Sequence, residues 1–148
     1  MRMVKCEELN ADMICRLIDR AIEGMSYAYT PYSGFRVGAA LLTESGEIYT
    51  GCNIENTAYT PTNCAERTAF FKAVSEGERH FAAICIVGGK DGKLADYTSP
   101  CGVCRQVMME FCEPEQFKII LAISREEYRI YTLKELLPEG FGPARLAR

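Results

Sequence analysis

The segment Phe81-Ala-Ala-Ile-Cys-Ile-Val87 constrains this chain more than any other. A strand with no polar residue at alternate positions has no face to offer water, so it must be covered on both sides. The flanking sequence supplies the covers. Residues 6–27 place Met13, Ile14, Leu17, Ile18, Ala21, Ile22 and Met25 at helical spacing. Residues 64–76 repeat that spacing with Ala65, Ala69, Phe70 and Ala73, up to Gly77, and residues 101–112 predict a third helix. Further strands are expected at Val37–Leu42, Ile48–Asn53, Ile119–Ile123 and Tyr128–Tyr131, with a loop over 88–99 and a final helical turn from Thr132 to Leu137. The order α-β-β-α-β-α-β-β-α packs as an α/β, three-layer α/β/α sandwich around a mixed five-stranded sheet. Only Ser124-Arg-Glu-Glu127 separates the last two strands. A parallel crossover needs a dozen residues or more, so these two strands, if they pair, must be antiparallel.

With 148 residues, the expected organisation is a single domain spanning 1–148. No apolar run approaches the length of a membrane span. The N-terminal Met1–Glu8 turns acidic where a signal peptide would be apolar, so the expected location is the cytoplasm, with no membrane partner. The net charge of −3 and the scattered Lys and Arg oppose binding to nucleic acid. A small, weakly charged ligand is expected instead.

Eight cysteines are many for a chain of this size. In a reducing compartment, clustered cysteines point to metal or catalysis, and isolated ones such as Cys15 and Cys85 to packing. Two clusters open helices: Asn63-Cys64-Ala65-Glu66-Arg67 and Ser99-Pro100-Cys101-Gly102-Val103-Cys104-Arg105-Gln106. Cys101 and Cys104, three residues apart, project from one helix face. Cys64 supplies a third thiolate, and three protein ligands leave one zinc position open, as in catalytic sites. Helix N-termini favour thiolates, because unpaired N–H groups and the positive dipole end face them. Glu66, two residues after Cys64, can face a water at the open position and move its proton without binding the metal. Arg67 is the candidate for drawing charge from the sulfurs. His80, the only histidine, stands alone in a charged stretch, which argues against a His-ligated metal or a Ser/His nucleophile.

Cys-Ala-Glu followed by Pro-Cys-x-x-Cys resembles the signature of the cytidine/deoxycytidylate deaminase superfamily. Tyr32-Ser33-Gly34-Phe35-Arg36-Val37-Gly38, Gly51-Cys52-Asn53-Ile54-Glu55-Asn56, Leu136-Leu137-Pro138 and Phe141-Gly142-Pro143 extend the resemblance to the small, three-cysteine cytidine deaminases. It implies a cytidine deaminase-like fold, one Zn²⁺ per chain, and hydrolytic deamination of cytidine or deoxycytidine to uridine or deoxyuridine plus ammonia, in pyrimidine salvage. It also implies that Asn53 and Glu55 hold the ribose hydroxyls and that Phe35 stacks near the nucleoside. By the same resemblance, the backbone around Ala65 and Ser99 would contact the base, and Tyr59 and Phe141 would reach into a neighbouring subunit's site in a homotetramer with shared active sites. Arg36, Thr57 and the 88–98 loop depart from the usual family pattern.

Other readings of the same residues stay open at this level. The Cys-x-x-Cys pair alone is compatible with a thioredoxin-like redox site. A closed four-cysteine structural zinc could recruit Cys52 or Cys112, and a non-catalytic zinc scaffold would need no Glu66. Asn53 and Glu55 could be ordinary turn residues, and Phe141 could fold back on its own core. A deaminase of the same fold could also act on a cytosine nucleoside antibiotic.

Overall fold

The computed structural model describes residues 9–146. The chain runs α1 (Ala11–Met25), β1 (Phe35–Thr43), β2 (Ile48–Cys52), α2 (Ala65–Ser75), β3 (Phe81–Lys90), α3 (Gly102–Phe111), β4 (Lys118–Ala122), β5 (Tyr128–Thr132) and α4 (Leu133–Leu136), then a short 3₁₀ turn over Pro143–Leu146. The five strands lie in the order β2-β1-β3-β4-β5, in which only β3 and β4 are parallel. The expected mixed sheet is present. The pair β4–β5 is antiparallel, with Ile120 opposite Ile130, as the four-residue connection demands.

Strand alternation divides the core into two layers. Ala39 and Leu41 of β1, Ile84 and Ile86 of β3, and Ile119 and Leu121 of β4 point to the face that carries α2 and α3. Their neighbours Ala40, Leu42, Ala83, Cys85, Val87, Ile120 and Ala122 point to the face covered by α1. The run from Phe81 to Val87 is buried throughout, as its composition requires. Cys85 is fully buried in the second layer, where burial pushes its thiol far above the usual range.

Helix α1 begins where Asn10 accepts the Met13 N–H on its side chain at 2.9 Å. Its expected start at residue 6 falls partly outside the described residues. Ile14, Leu17, Ile18, Ala21 and Met25 form its buried stripe. Gly38 of β1 lets α1 approach, since a Cβ there would lie 2.0 Å from the Ala21 carbonyl oxygen. Gly51 does the same on the other face: a Cβ would sit 2.4 Å from the Ala65 oxygen and 2.6 Å from the Ala69 nitrogen. The first turn of α2 is thereby pressed onto the sheet.

Strand β3 extends three residues past Val87, because Gly88, Gly89 and Lys90 continue to pair with Val37, Arg36 and Phe35. The expected 88–99 loop is correspondingly shorter. Its remainder clasps the turn before β1: the Asp91 N–H donates to the Gly34 carbonyl at 2.7 Å, and the Lys90 ammonium to the Ser33 carbonyl. Arg36 also finds a local role. Its Nη2 donates to the Ser26 and Ala28 carbonyls at 2.8 and 3.1 Å, fastening the exit of α1.

Candidate active site

Cys64 is the N-cap of α2 and Cys101 the N-cap of α3, so both sulfurs stand where a helix leaves N–H groups unpaired. Cys101 uses its sulfur as the cap, accepting from the Cys104 N–H at 3.5 Å. The two helices lie side by side on one face of the sheet, and this brings three distant sulfurs together. Cys64 and Cys101 Sγ are 3.7 Å apart, Cys101 and Cys104 Sγ 3.5 Å, and all three lie within 4.8 Å of one another. Tetrahedral zinc with Zn–S bonds of about 2.3 Å needs sulfurs about 3.8 Å apart, so the donor set fits. Among the described residues no fourth Cys, His or carboxylate joins the group. Cys112 caps the far end of α3, eleven residues from Cys101, or about 16 Å along a helix. The closed four-cysteine site therefore loses Cys112 on geometry, and Cys52 lies outside the cluster.

The sulfurs are electrostatically unequal. The Cys64 thiol is pulled down to about 5, chiefly because it accepts a hydrogen bond from Cys104 and others from Arg67 and Cys101, against the cost of burial. Cys104 is pushed up, first by its bond to Cys64 and then by burial. Metal binding takes cysteine as thiolate, so a thiol drawn down like that of Cys64 suits a ligand. Arg67 reaches into this cluster: its Nη2 donates to Cys64 Sγ at 3.3 Å, while its Nε is buried with no hydrogen-bond partner. Arg67 is therefore not an exposed surface arginine.

Glu66 is 4% exposed, the one buried charged residue among the described residues. Burial first, and the Cys64 sulfur second, push its carboxyl up to about 7. It lies in the first turn of α2, beside the sulfurs.

Asn53 and Glu55 follow β2, and the Ile54 between them pairs with Asn63, next to Cys64. Asn53 accepts the Val37 N–H at 2.9 Å and donates to the Phe35 carbonyl at 2.8 Å. Glu55 accepts from the N–H groups of Tyr32 and Ser33 at 2.9 and 3.1 Å, and from the Ser33 hydroxyl. These bonds, led by the Ser33 hydroxyl, hold its carboxyl below the usual range. Both residues thus perform the turn-building role, and each keeps free capacity: a second amide N–H on Asn53 and lone pairs on Glu55. A cavity of about 490 Å³ opens beside Glu55, lined by Tyr32, Ser33, Asn56, Tyr59 and Thr62.

The aromatic residues face outward. Phe35 begins β1 at the rim and Tyr59 is 76% exposed, with a left-handed φ of 61° at the tip of the 54–63 loop. That loop is pinned at its base by paired Ile54 and Asn63 backbone bonds of 2.9 and 3.0 Å. Phe141 is 59% exposed and does not fold back into the core. Three contributors escape sequence reasoning: Ser33, which orients Glu55, and Arg105 and Gln106, whose side chains hold backbone carbonyls. The only sequence signal for the last two is their position directly after Cys104.

The family model "Cytidine and deoxycytidylate deaminase zinc-binding region" matches residues 12–120, which include all three cysteines and Glu66. The chain belongs to the cytidine and deoxycytidylate deaminase family. It is 50% identical to a cytidine deaminase of Sporosarcina psychrophila over 126 residues, covering 85% of this chain and 89% of that one. It is 48% identical to a cytidine deaminase of Halalkalibacterium halodurans, covering 84% and 91%. The crystal structure of cytidine deaminase from Burkholderia pseudomallei superposes with a TM-score of 0.78 at 43% identity, covering 85% of this chain and 97% of that one. The family is a zinc-binding one, and the three sulfurs form a group compatible with one zinc ion. Among the described residues no helix is long and apolar enough to cross a membrane.

Proposed function

We propose that the protein is a zinc-dependent cytidine deaminase that converts cytidine and deoxycytidine, with water, to uridine and deoxyuridine plus ammonia. The observation that carries the reading is the buried Glu66 carboxyl beside three sulfurs spaced for one zinc. When bound, zinc supplies Lewis-acid activation of a water. As the water oxygen bonds to C4, Glu66 takes one water proton and delivers it to the ring N3. Glu66 then carries the second water proton to the exocyclic amine, and the C4–N bond breaks to release ammonia and leave a C4 carbonyl. A carboxyl held near neutrality suits both receipt and release of a proton.

Three thiolates around a divalent cation leave a net charge of about −1, which opposes water activation. Two helix N-termini and the Arg67 guanidinium withdraw charge from the sulfurs. Asn53 and Glu55 hold the ribose hydroxyls with their remaining donor and acceptor sites, and Phe35 packs near the nucleoside. The backbone at Ala65 and Ser99 contacts the base. Tyr59 and Phe141 complete a neighbouring subunit's pocket in a homotetramer, which accounts for aromatic side chains left exposed on a single chain. The cluster of free thiols suits a reducing cytoplasm, and the reaction belongs to pyrimidine salvage.

Incubation of zinc-loaded protein with cytidine should shift the ultraviolet spectrum to that of uridine, with ammonia released in equal amount. Loaded protein that leaves both cytidine and deoxycytidine unchanged refutes the assignment.

A further inference from the structure

Helix α3 carries two zinc ligands at its start and, one turn on, grips the C-terminal tail. The Gln106 amide donates to the Phe141 carbonyl at 2.8 Å. Arg105 Nη1 donates to the Leu136 carbonyl, where the tail begins. The same guanidinium reaches back to the loop before α3, with Nε on the Pro100 carbonyl at 2.7 Å and Nη2 on the Ser99 hydroxyl at 2.9 Å. On either side of Phe141 the tail lies against α3: a Cβ on Gly140 would meet Met109 Sδ at 3.1 Å, and one on Gly142 would meet Met109 Cε at 2.9 Å. The Phe141 ring itself stays exposed. A side chain held by its backbone on both flanks, with its ring left free, is presented to something outside its own core.

We propose that Gln106 is a positioning residue for Phe141, fixing the angle at which that ring meets the nucleoside in the adjoining pocket. The inference rests on the reading that Phe141 packs against bound nucleoside. It makes α3 a shared mount, with Cys101 and Cys104 serving the chain's own pocket and Gln106 serving its neighbour's. Arg105 fixes the other end of the tail. Gln106 touches neither sulfur nor Glu66 in its hydrogen bonding, so it acts on substrate affinity rather than on proton transfer.

Gln106→Leu removes the donor at similar size, and Gln106→Glu replaces it with a group that repels the carbonyl. Gln106 is exposed, so both variants should retain zinc and oligomeric size. KM for cytidine should rise on the order of 2- to 10-fold, the scale of one neutral hydrogen bond, with kcat nearly unchanged. In the double variant with Phe141→Ala, the Gln106 change should add nothing to the KM of Phe141→Ala alone. Full additivity, or a loss confined to kcat or zinc content, overturns the proposal. So does a normal KM in both Gln106 variants when Phe141→Ala is impaired. An unaffected Phe141→Ala enzyme instead removes the reading of Phe141, and the proposal with it.

Discussion

The sulfur cluster and the exposed aromatic residues Tyr59 and Phe141 are supported in different ways. Cys64, Cys101, Cys104 and Glu66 sit at the starts of two helices pressed onto one sheet face by close contacts within the chain. Tyr59 and Phe141 sit on loops, exposed, with only their backbones tied down. Buried chemistry needs fixed geometry, because misplacement by an ångström costs orders of magnitude in rate. Contact with a base tolerates an adjustable ring, and a loop can present one across a subunit boundary. The expectation is that changes at the sulfur end abolish the enzyme chain by chain. Changes at the aromatic residues should weaken substrate use and be repairable by a neighbour.

The largest effect should come from the metal ligands. Replacing Cys64, Cys101 or Cys104 by Ser should strip zinc and abolish turnover, whereas Cys52→Ser should leave zinc near one per chain, read by metal analysis. Loss of zinc from Cys52→Ser would draw a fourth sulfur into the site and undo its open position. Next comes Glu66→Ala, which should keep zinc while losing roughly 10²–10⁴-fold in turnover. A zinc-loaded Glu66→Ala protein with normal turnover would place the proton shuttle elsewhere.

Arg67→Gln should act more mildly. A charge-assisted hydrogen bond contributes about 1.5–3 kcal/mol, so zinc retention against a chelator, or kcat, should fall by roughly one to two decades. Unchanged values for both would make the 3.3 Å contact to Cys64 electrostatically idle.

The sulfur end was readable from sequence because its chemistry is local. Cys64 with Glu66, and Cys101 with Cys104, are spaced within a helical turn, so residue type and spacing announce the site before any fold is known. The sheet was readable for a similar reason: an unbroken apolar run and a four-residue connection each admit few structures. The loop contacts were not. Gln106 finds Phe141 across 35 residues, Arg105 finds Leu136 across 31, and Lys90 finds Ser33 across 57. In each case the acceptor is a backbone carbonyl, which every residue possesses, so no residue identity marks it. Gly88 and Gly89 misled for a related reason, since glycines that continue a strand against β1 look like a turn when the partner strand is unseen.

The mildest prediction bears most directly on the comparison. Phe141→Ala should cost on the order of 1–3 kcal/mol in kcat/KM, the worth of one aromatic contact with a base, while zinc and fold remain intact. That loss alone does not show whose pocket the ring serves. Co-refolding Phe141→Ala chains with Glu66→Ala chains does. A pocket formed by a Phe141→Ala chain has its own Glu66 and sulfurs but, beside another such chain, no ring. Beside a Glu66→Ala chain it receives an intact Phe141 across the boundary. Activity in the mixture should therefore rise above that of either variant alone, up to a fraction set by how often the two chains become neighbours. Ring and carboxyl belonging to one chain's pocket would give no such recovery, because every mixed pocket would still lack one of them. Mixed assemblies verified by mass, with activity no higher than the average of the parents, would assign Phe141 to its own chain and dissolve the contrast between the two ends of the site.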